Sequence, residues 1–202
     1  MSAPKMLPAL LGGLFIGVLS SLPYIKGGNV CCCLWVVSGG ILAAWVMQQN
    51  TLRPITLGEG AVVGLLSGLV GTMVWVVIAI VLMFVFSFAV IWVGVMMASL
   101  VPTPEAVQGI AFVVIFPITF IASTFVPAET LPGVLRTFAE WNPVTTLAES
   151  LRILFGNPHQ AAGAGDPWSM QHPALYTLLV CAALIAVCAP IAVSRFQKSI
   201  TD

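Results

Sequence analysis

Charge is what this 202-residue sequence has least of: seven Lys and Arg balance seven Asp and Glu, so that 7% of residues are charged and 59% are hydrophobic. A soluble domain carries roughly 25% charged residues because its surface must be solvated. The shortage therefore excludes a soluble globular fold, and a mean hydropathy of +1.07 points to a chain whose solvent is the bilayer. Without a basic surplus there is nothing to neutralise a phosphate backbone, which excludes nucleic acid as a partner. No G-x-x-x-x-G-K-[ST] phosphate loop is present, so ATP hydrolysis is not expected of this chain. Nor does any acidic or basic residue stand centrally in a candidate span, since Glu59, Glu105 and Glu129 fall at span ends. Ion-coupled transporters bury such groups to hold the driving ion, which argues against ion-driven transport.

Catalytic and metal chemistry are equally thin. Cys31, Cys32 and Cys33 are consecutive, so their side chains diverge and do not converge on one metal as a C-x-x-C pair does. Cys181 and Cys188 share a helix face but have no other strong ligand near them, and all five cysteines are read as small packing hydrophobes. Ser67 in "GLLSGLVG" is not a G-x-S-x-G elbow, and His159 and His172 are read as solvated residues of a Gly/Pro-rich loop. No catalytic residue, bound cofactor or metal site is expected.

What the sequence does have is long apolar runs. About 20 apolar residues cross the ~30 Å hydrocarbon core, which yields candidate spans at Met6–Leu22, Cys31–Met47, Gly60–Val81, Leu82–Val101, Val107–Val126 and Ala174–Val193. The expected fold is all-α: a polytopic transmembrane helix bundle of six spans, divided into residues 1–81 with three spans and residues 82–202. The start of the chain, one Lys before a short apolar run, is read as an uncleaved first span. Between Ala61 and Val101 there is no charge and no proline, and no glycine between Gly71 and Gly94. As one straight helix this stretch would be roughly 60 Å long, so it must turn or tilt strongly; the six-span reading puts a turn near Val81, and a five-span chain stays open. With both termini in the cytoplasm of a bacterial inner membrane, Lys5, Arg53, Arg195 and Lys198 lie inside and Lys26, Arg136 and Arg152 outside, in line with the inward bias of basic residues.

The segment Pro127–Pro173 is too long for an ordinary helix connection. Its first half reads as two short helices. In one, Thr130 caps, Pro132 sits in the first turn, and Val134, Leu135, Phe138 and Trp141 form an apolar stripe. In the other, Asn142 is the N-cap and Pro143 the N1 proline; Val144, Leu147, Leu151 and Leu154 align on one face, with Glu149 and Arg152 on the other. Each helix wants one side in lipid and one in water, as an interfacial or a re-entrant hairpin does. Phe116-Pro117 interrupts a backbone hydrogen bond within the fifth span and serves as a packing kink or as a hinge. Gly12, Gly13 and Gly17, and the Gly64-x-x-x-Gly68 pair, permit close helix approach, read as packing within the chain.

From about Phe86 to Thr201 the ordered set Pro104-Glu105-Ala106, Phe116-Pro117, Phe125-Val126-Pro127, Leu131-Pro132 and Asn142-Pro143 with Arg152 resembles the ABC-2 type permeases, especially the daunorubicin-type drug-export branch. The resemblance implies the membrane subunit of an exporter for a lipophilic drug, lipid or glycan, paired with another copy or a related permease and driven by a separate ATP-binding-cassette subunit that holds ATP and Mg. It also implies that Thr130, Pro132, Phe138, Trp141, Asn142, Pro143, Glu149 and Arg152 belong to a re-entrant external gate. Residues 1–80 do not follow that pattern and are similar to small bacterial membrane proteins. They lack the basic amphipathic helix and charged loop of a family member, so the expected ATPase-docking loops are Gln48–Glu59, with Arg53, Pro54 and Glu59, and Pro102–Gln108, with Pro104 and Glu105. The alternative is a non-transporting membrane protein carrying a permease-like half.

Overall fold

In the computed structural model, which describes residues 5–21, 33–155, 157 and 165–201, the chain is helical and no strand occurs among the described residues. Its apolar helices are α1 (Met6–Ser21), α2 (Leu34–Gln49), α3 (Leu57–Leu100), α4 (Pro104–Ile121) and α8 (Pro173–Thr201), with the short helices α5 (Gly133–Glu140), α6 (Pro143–Phe155) and α7 (Trp168–Gln171) between the last two. Three of them, α3, α4 and α8, are long and apolar enough to cross a membrane, while α1 and α2 are shorter apolar helices. Cys31 and Cys32, the joint at Pro23–Gly28 with Lys26, and His159 lie outside the described residues.

The turn expected near Val81 is absent. Leu57–Leu100 is one helix of 44 residues, about 66 Å at 1.5 Å per residue and twice the hydrocarbon thickness. The reason is local: nothing between Gly71 and Gly94 breaks an α-helix, and valine, isoleucine and phenylalanine continue it without a cap or a proline. Among the described residues five apolar helices thus stand where six spans were expected.

The chain forms two compact units, Met1–Ala79 and Ile80–Asp202. In the first, glycines set the spacing. A Cβ on Gly13 would sit 2.4 Å from Val70 Cβ, one on Gly17 2.6 Å from Val74 Cβ, and one on Gly39 2.2 Å from Ile16 Cγ1, so α1 lies backbone-close to α2 and α3. Trp75 Nε1 donates to the Gly17 carbonyl at 3.0 Å across that contact, and Ala9, Ala43, Met47 and Val63 form its core. Gly64 and Gly68, expected to pack in the same way, face open space; their side of α3 points away from α1. Cys33 is exposed and stands at φ 51° before α2, unlike the buried Cys181 and Cys188.

In the second unit α6 packs on α8, α5 on the turn at Ala128–Thr130, and α7 beneath α6 and α8. The helix α4 starts earlier than the expected span because Thr103 caps it, its Oγ1 accepting from Ala106 N at 3.3 Å, with Pro104 at its first position and Glu105 in its first turn. Its last residue is Ile121 rather than Val126. The expected docking loop Pro102–Gln108 is consequently mostly helix. Likewise α8 continues past Val193 through Arg195 and Lys198, with Pro190 inside it.

Candidate functional site

The segment after α4 folds back as a helical hairpin, and polar groups bind it to the helices on either side. Asn142 is the hub. Its Oδ1 accepts from Val144 N at 2.9 Å, capping α6 as expected, while its Nδ2 donates to the Ile118 carbonyl at 2.6 Å. Ile118 belongs to the last turn of α4, where carbonyls lack intrahelical partners. One amide therefore closes the start of one helix and the end of another.

Two further links tie α6 to the turn that follows α4. Thr145 Oγ1 accepts from Ser123 N at 3.1 Å, and Arg152 Nη2 donates to the Ser123 carbonyl at 3.1 Å. The other arm of Arg152 donates to Glu149 Oε1 at 2.5 Å, and Glu149 is only 2% exposed. On the α8 side, the hydroxyls of Thr146 and Thr177 share a hydrogen bond at 2.9 Å, and the one that does not donate to its partner donates to a carbonyl one turn back, Pro143 O for Thr146 or Pro173 O for Thr177.

The polar face of α6, expected in water, is instead turned into the protein. Thr145, Thr146, Glu149 and Ser150 are buried, whereas Val144, Leu147, Leu151 and Leu154 are partly exposed. Turning the polar face inward lets its hydrogen-bonding groups be satisfied inside the protein. In α5 the apolar stripe is likewise outward: Val134 is 87% exposed, and Leu135, Phe138 and Trp141 are exposed as well. Thr130 does not cap α5. It closes the preceding turn, donating to the Pro127 carbonyl at 2.7 Å, and Pro132 occupies the N-cap position instead of the first turn.

Around this polar core sits an aromatic and ionic collar. Tyr176 donates to the Trp141 carbonyl at 2.7 Å and packs edge-on to Trp141 and Trp168. His172, expected in a solvated loop, ends α7 with its ring 5.5 Å from that of Trp168. Ser169 donates to the Glu140 carbonyl at 2.6 Å. Arg136 pairs with Glu140 at 2.7 Å and approaches Asp166 at 3.9 Å; the hydrogen bond it donates to Glu140, then the charge of that carboxylate, hold the guanidinium above its ordinary pKa.

Within α4, Pro117 lies inside a helix that continues to Ile121, and Thr119 donates to the Ile115 and Phe116 carbonyls beside it. Phe112, Phe116 and Phe120 stack in succession with ring centroids 5.7 and 5.5 Å apart, and Phe125 follows at 6.2 Å. All four rings are exposed, and no residue of α4 is buried in the chain.

The remaining docking candidates turn on themselves. Arg53 makes a two-pronged contact with Glu59, Nη2 to Oε1 at 2.6 Å and Nη1 to Oε2 at 3.1 Å. The hydrogen bond to Glu59 raises the pKa of Arg53 above its ordinary value. Glu59 also accepts from Thr56 N at 3.0 Å, while Thr56 Oγ1 accepts from Glu59 N at 3.3 Å, a reciprocal capping box that starts α3. Gln48 spans the loop, donating to the Arg53 carbonyl at 3.1 Å and accepting from Ile55 N at 3.0 Å. Pro54 lies between these anchors. Thr56 and Gln48 escaped the reading of the sequence, although Thr56-x-x-Glu59 carries the capping-box signal. Ser67, weighed as a nucleophile, donates to the Gly64 carbonyl at 2.8 Å within its own helix.

Comparison with known proteins bears on the whole of this region. The family model described as ABC-2 type transporter matches residues 51–155, beginning well before Phe86 and taking in the Arg53–Glu59 loop as well as the hairpin. A daunorubicin resistance ABC transporter permease protein, DrrB1, of Streptomyces coeruleorubidus is 30% identical over 146 residues, 71% of this chain and 48% of that protein. The chain thus spans about half the length of the curated relative it matches. No solved structure matches.

Proposed function

Because the chain belongs to the ABC-2 type transporter family, we propose that it is a membrane-spanning permease subunit of an ATP-binding-cassette exporter. It moves a lipophilic drug, lipid or glycan outward, and a separate ATPase subunit binds ATP and Mg and supplies the energy. The subunit pairs with a second copy or a related permease in the cell membrane, with the α5–α6 hairpin outside and the end of α8, with Arg195 and Lys198, cytoplasmic.

The observation that carries this reading is the binding of the hairpin to α4 through Asn142, Thr145 and Arg152. An element of this kind, closed over the end of a membrane helix by polar links, works as an outer gate: it shifts when α4 bends at Phe116-Pro117 and carries no chemistry of its own. The daunorubicin resistance named for the relative favours the drug among the three substrate classes. Residues 1–81 form an N-terminal helical part; the ATPase meets Pro104-Glu105 at the start of α4, because the Arg53–Glu59 loop stands at the other end of the unbroken α3 and is closed on itself.

The test is reconstitution of the chain with candidate ATPase subunits in liposomes, following substrate-stimulated ATP turnover. Stimulation by a lipophilic drug that depends on the chain supports export. No response with any partner, drug or lipid would move the reading to a non-transporting membrane protein with a permease-like half.

A further inference from the structure

Two buried side-chain atoms in the hairpin core have no hydrogen-bond partner, Glu149 Oε2 and Ser123 Oγ. Both belong to groups that Arg152 holds, since its Nη1 engages the other oxygen of Glu149 and its Nη2 the Ser123 carbonyl. Every other polar side chain of that core is paired: Thr145 with Ser123 N, Thr146 with Thr177, and Ser150 with the Thr146 carbonyl. A buried acceptor left unpaired is costly, and more so when it is charged, so two unpaired atoms on the two residues that Arg152 bridges mark a place where a group from outside the chain completes the network. The chemistry of that group follows from its neighbours. It must donate to a carboxylate oxygen and pair with a hydroxyl. It must also be uncharged, because Arg152 already balances Glu149 at 2.5 Å and a further buried ion would stand uncompensated.

We propose that Glu149 Oε2 and Ser123 Oγ form a binding site for a single uncharged hydroxyl, supplied by water or by an amphiphile in transit. The transit arm rests on the export reading; the water arm does not. A hydroxyl donates one hydrogen bond and accepts another, which suits this pair of atoms. An ether or a hydrocarbon at the same place leaves the carboxylate oxygen bare.

The experiment uses the full chain in lipid nanodiscs without any ATPase. A failure here then leaves the export reading standing, and failed ATPase stimulation leaves this site standing. The infrared difference between wild type and Glu149→Gln isolates the Glu149 carboxylate band, which is followed during rehydration of a dried film and during titration with 4-octylphenol or its methyl ether, 4-octylanisole. The expected result is a band that moves with water and again with the phenol. The phenol binds about tenfold more tightly than the ether, in keeping with one hydrogen bond to a buried charged group; that ratio falls to about one in Glu149→Gln, while Ser123→Ala weakens both ligands and keeps the ratio. Ser123→Ala removes only an unpaired hydroxyl and keeps the carbonyl that holds Arg152, so it separates loss of the site from loss of the fold. A band that moves with water while the wild type binds phenol and ether equally assigns the site to water alone. A band that answers neither water nor phenol, or one that moves only in Ser123→Ala because the two side chains close on each other, overturns the proposal.

Discussion

Asn142 donates to the carbonyl of Ile118 at 2.6 Å, one residue beyond Pro117. The side chain that starts α6 is therefore attached to α4 on the far side of its proline. Any bend at Phe116-Pro117 would thus carry the hairpin with it.

That link separates into two parts by substitution. Asn142→Asp keeps an acceptor for Val144 N and loses the donor to Ile118; Asn142→Ala loses both. The cap alone is worth about 1 kcal/mol, and in the Asp variant a buried carboxylate oxygen faces the Ile118 carbonyl, so both variants should melt below the wild type in detergent. Drug-stimulated ATP turnover should fall in both if the tie to Ile118 matters for gating. An Asp variant with full turnover would reduce Asn142 to a cap.

The Glu149–Arg152 pair should show strong coupling. Arg152→Met leaves a buried carboxylate without its partner, which costs about 3–5 kcal/mol. Replacing Glu149 by Gln in the same chain should recover most of that loss. Urea or thermal unfolding in nanodiscs of the two single variants and the double variant measures the coupling, and additive losses would mean that the two side chains act independently.

The glycines of the first unit should divide sharply. Gly13→Ala drives a methyl into Val70, a β-branched side chain with little freedom to move, at 2.4 Å. Overpacking of that kind costs about 1–3 kcal/mol. Gly64→Ala meets nothing within 4 Å and should leave the melting temperature unchanged or raise it slightly, since alanine is the better helix former. Thermal melts of the two variants decide it; equal losses would show that α1 does not rest on α3 at Gly13.

Two measurements address topology and docking. Val134→Cys in a cysteine-free background should react with a membrane-impermeant maleimide in intact cells, and labelling only after permeabilisation would invert the orientation. Arg53→Glu sets two carboxylates against each other where a salt bridge of 2.6 Å stood. ATPase stimulation should persist in Arg53→Glu and fall in Glu105→Lys at the start of α4. Stimulation lost in Arg53→Glu but kept in Glu105→Lys would move docking to the Arg53–Glu59 loop.

The membrane character was legible because solvation leaves no alternative for so few charges, and the start of α6 because Asn142-Pro143 is local chemistry that works in any surrounding. The inward face of α6 was not. Apolar periodicity tells that Val144, Leu147, Leu151 and Leu154 share a side, but which side turns in depends on whether water or lipid lies beyond it, and no residue of the helix encodes that. The cap of α5 was misread for a related reason. Thr130 has the right side chain, yet its hydroxyl finds the Pro127 carbonyl first, a competition that the spacing of residues does not reveal. The unbroken α3 follows from local sequence alone; the turn near Val81 came from fitting the chain to the thickness of a bilayer. Of the docking residues, Arg53 and Glu59 are adjacent, but their mutual pairing required the loop geometry set by Gln48.

The inverted α6 bears on how this hairpin tolerates change. In a water-soluble protein a helix keeps its greasy positions and lets its polar ones drift. Here the constraint runs the other way: Thr145, Thr146, Glu149 and Ser150 are each committed by an inward position, while Leu147 or Leu151 need only remain oily. A library randomised over Pro143–Phe155 and selected for function should therefore retain hydroxyls and the acid–base pair, and accept almost any exchange among leucine, isoleucine, valine and methionine.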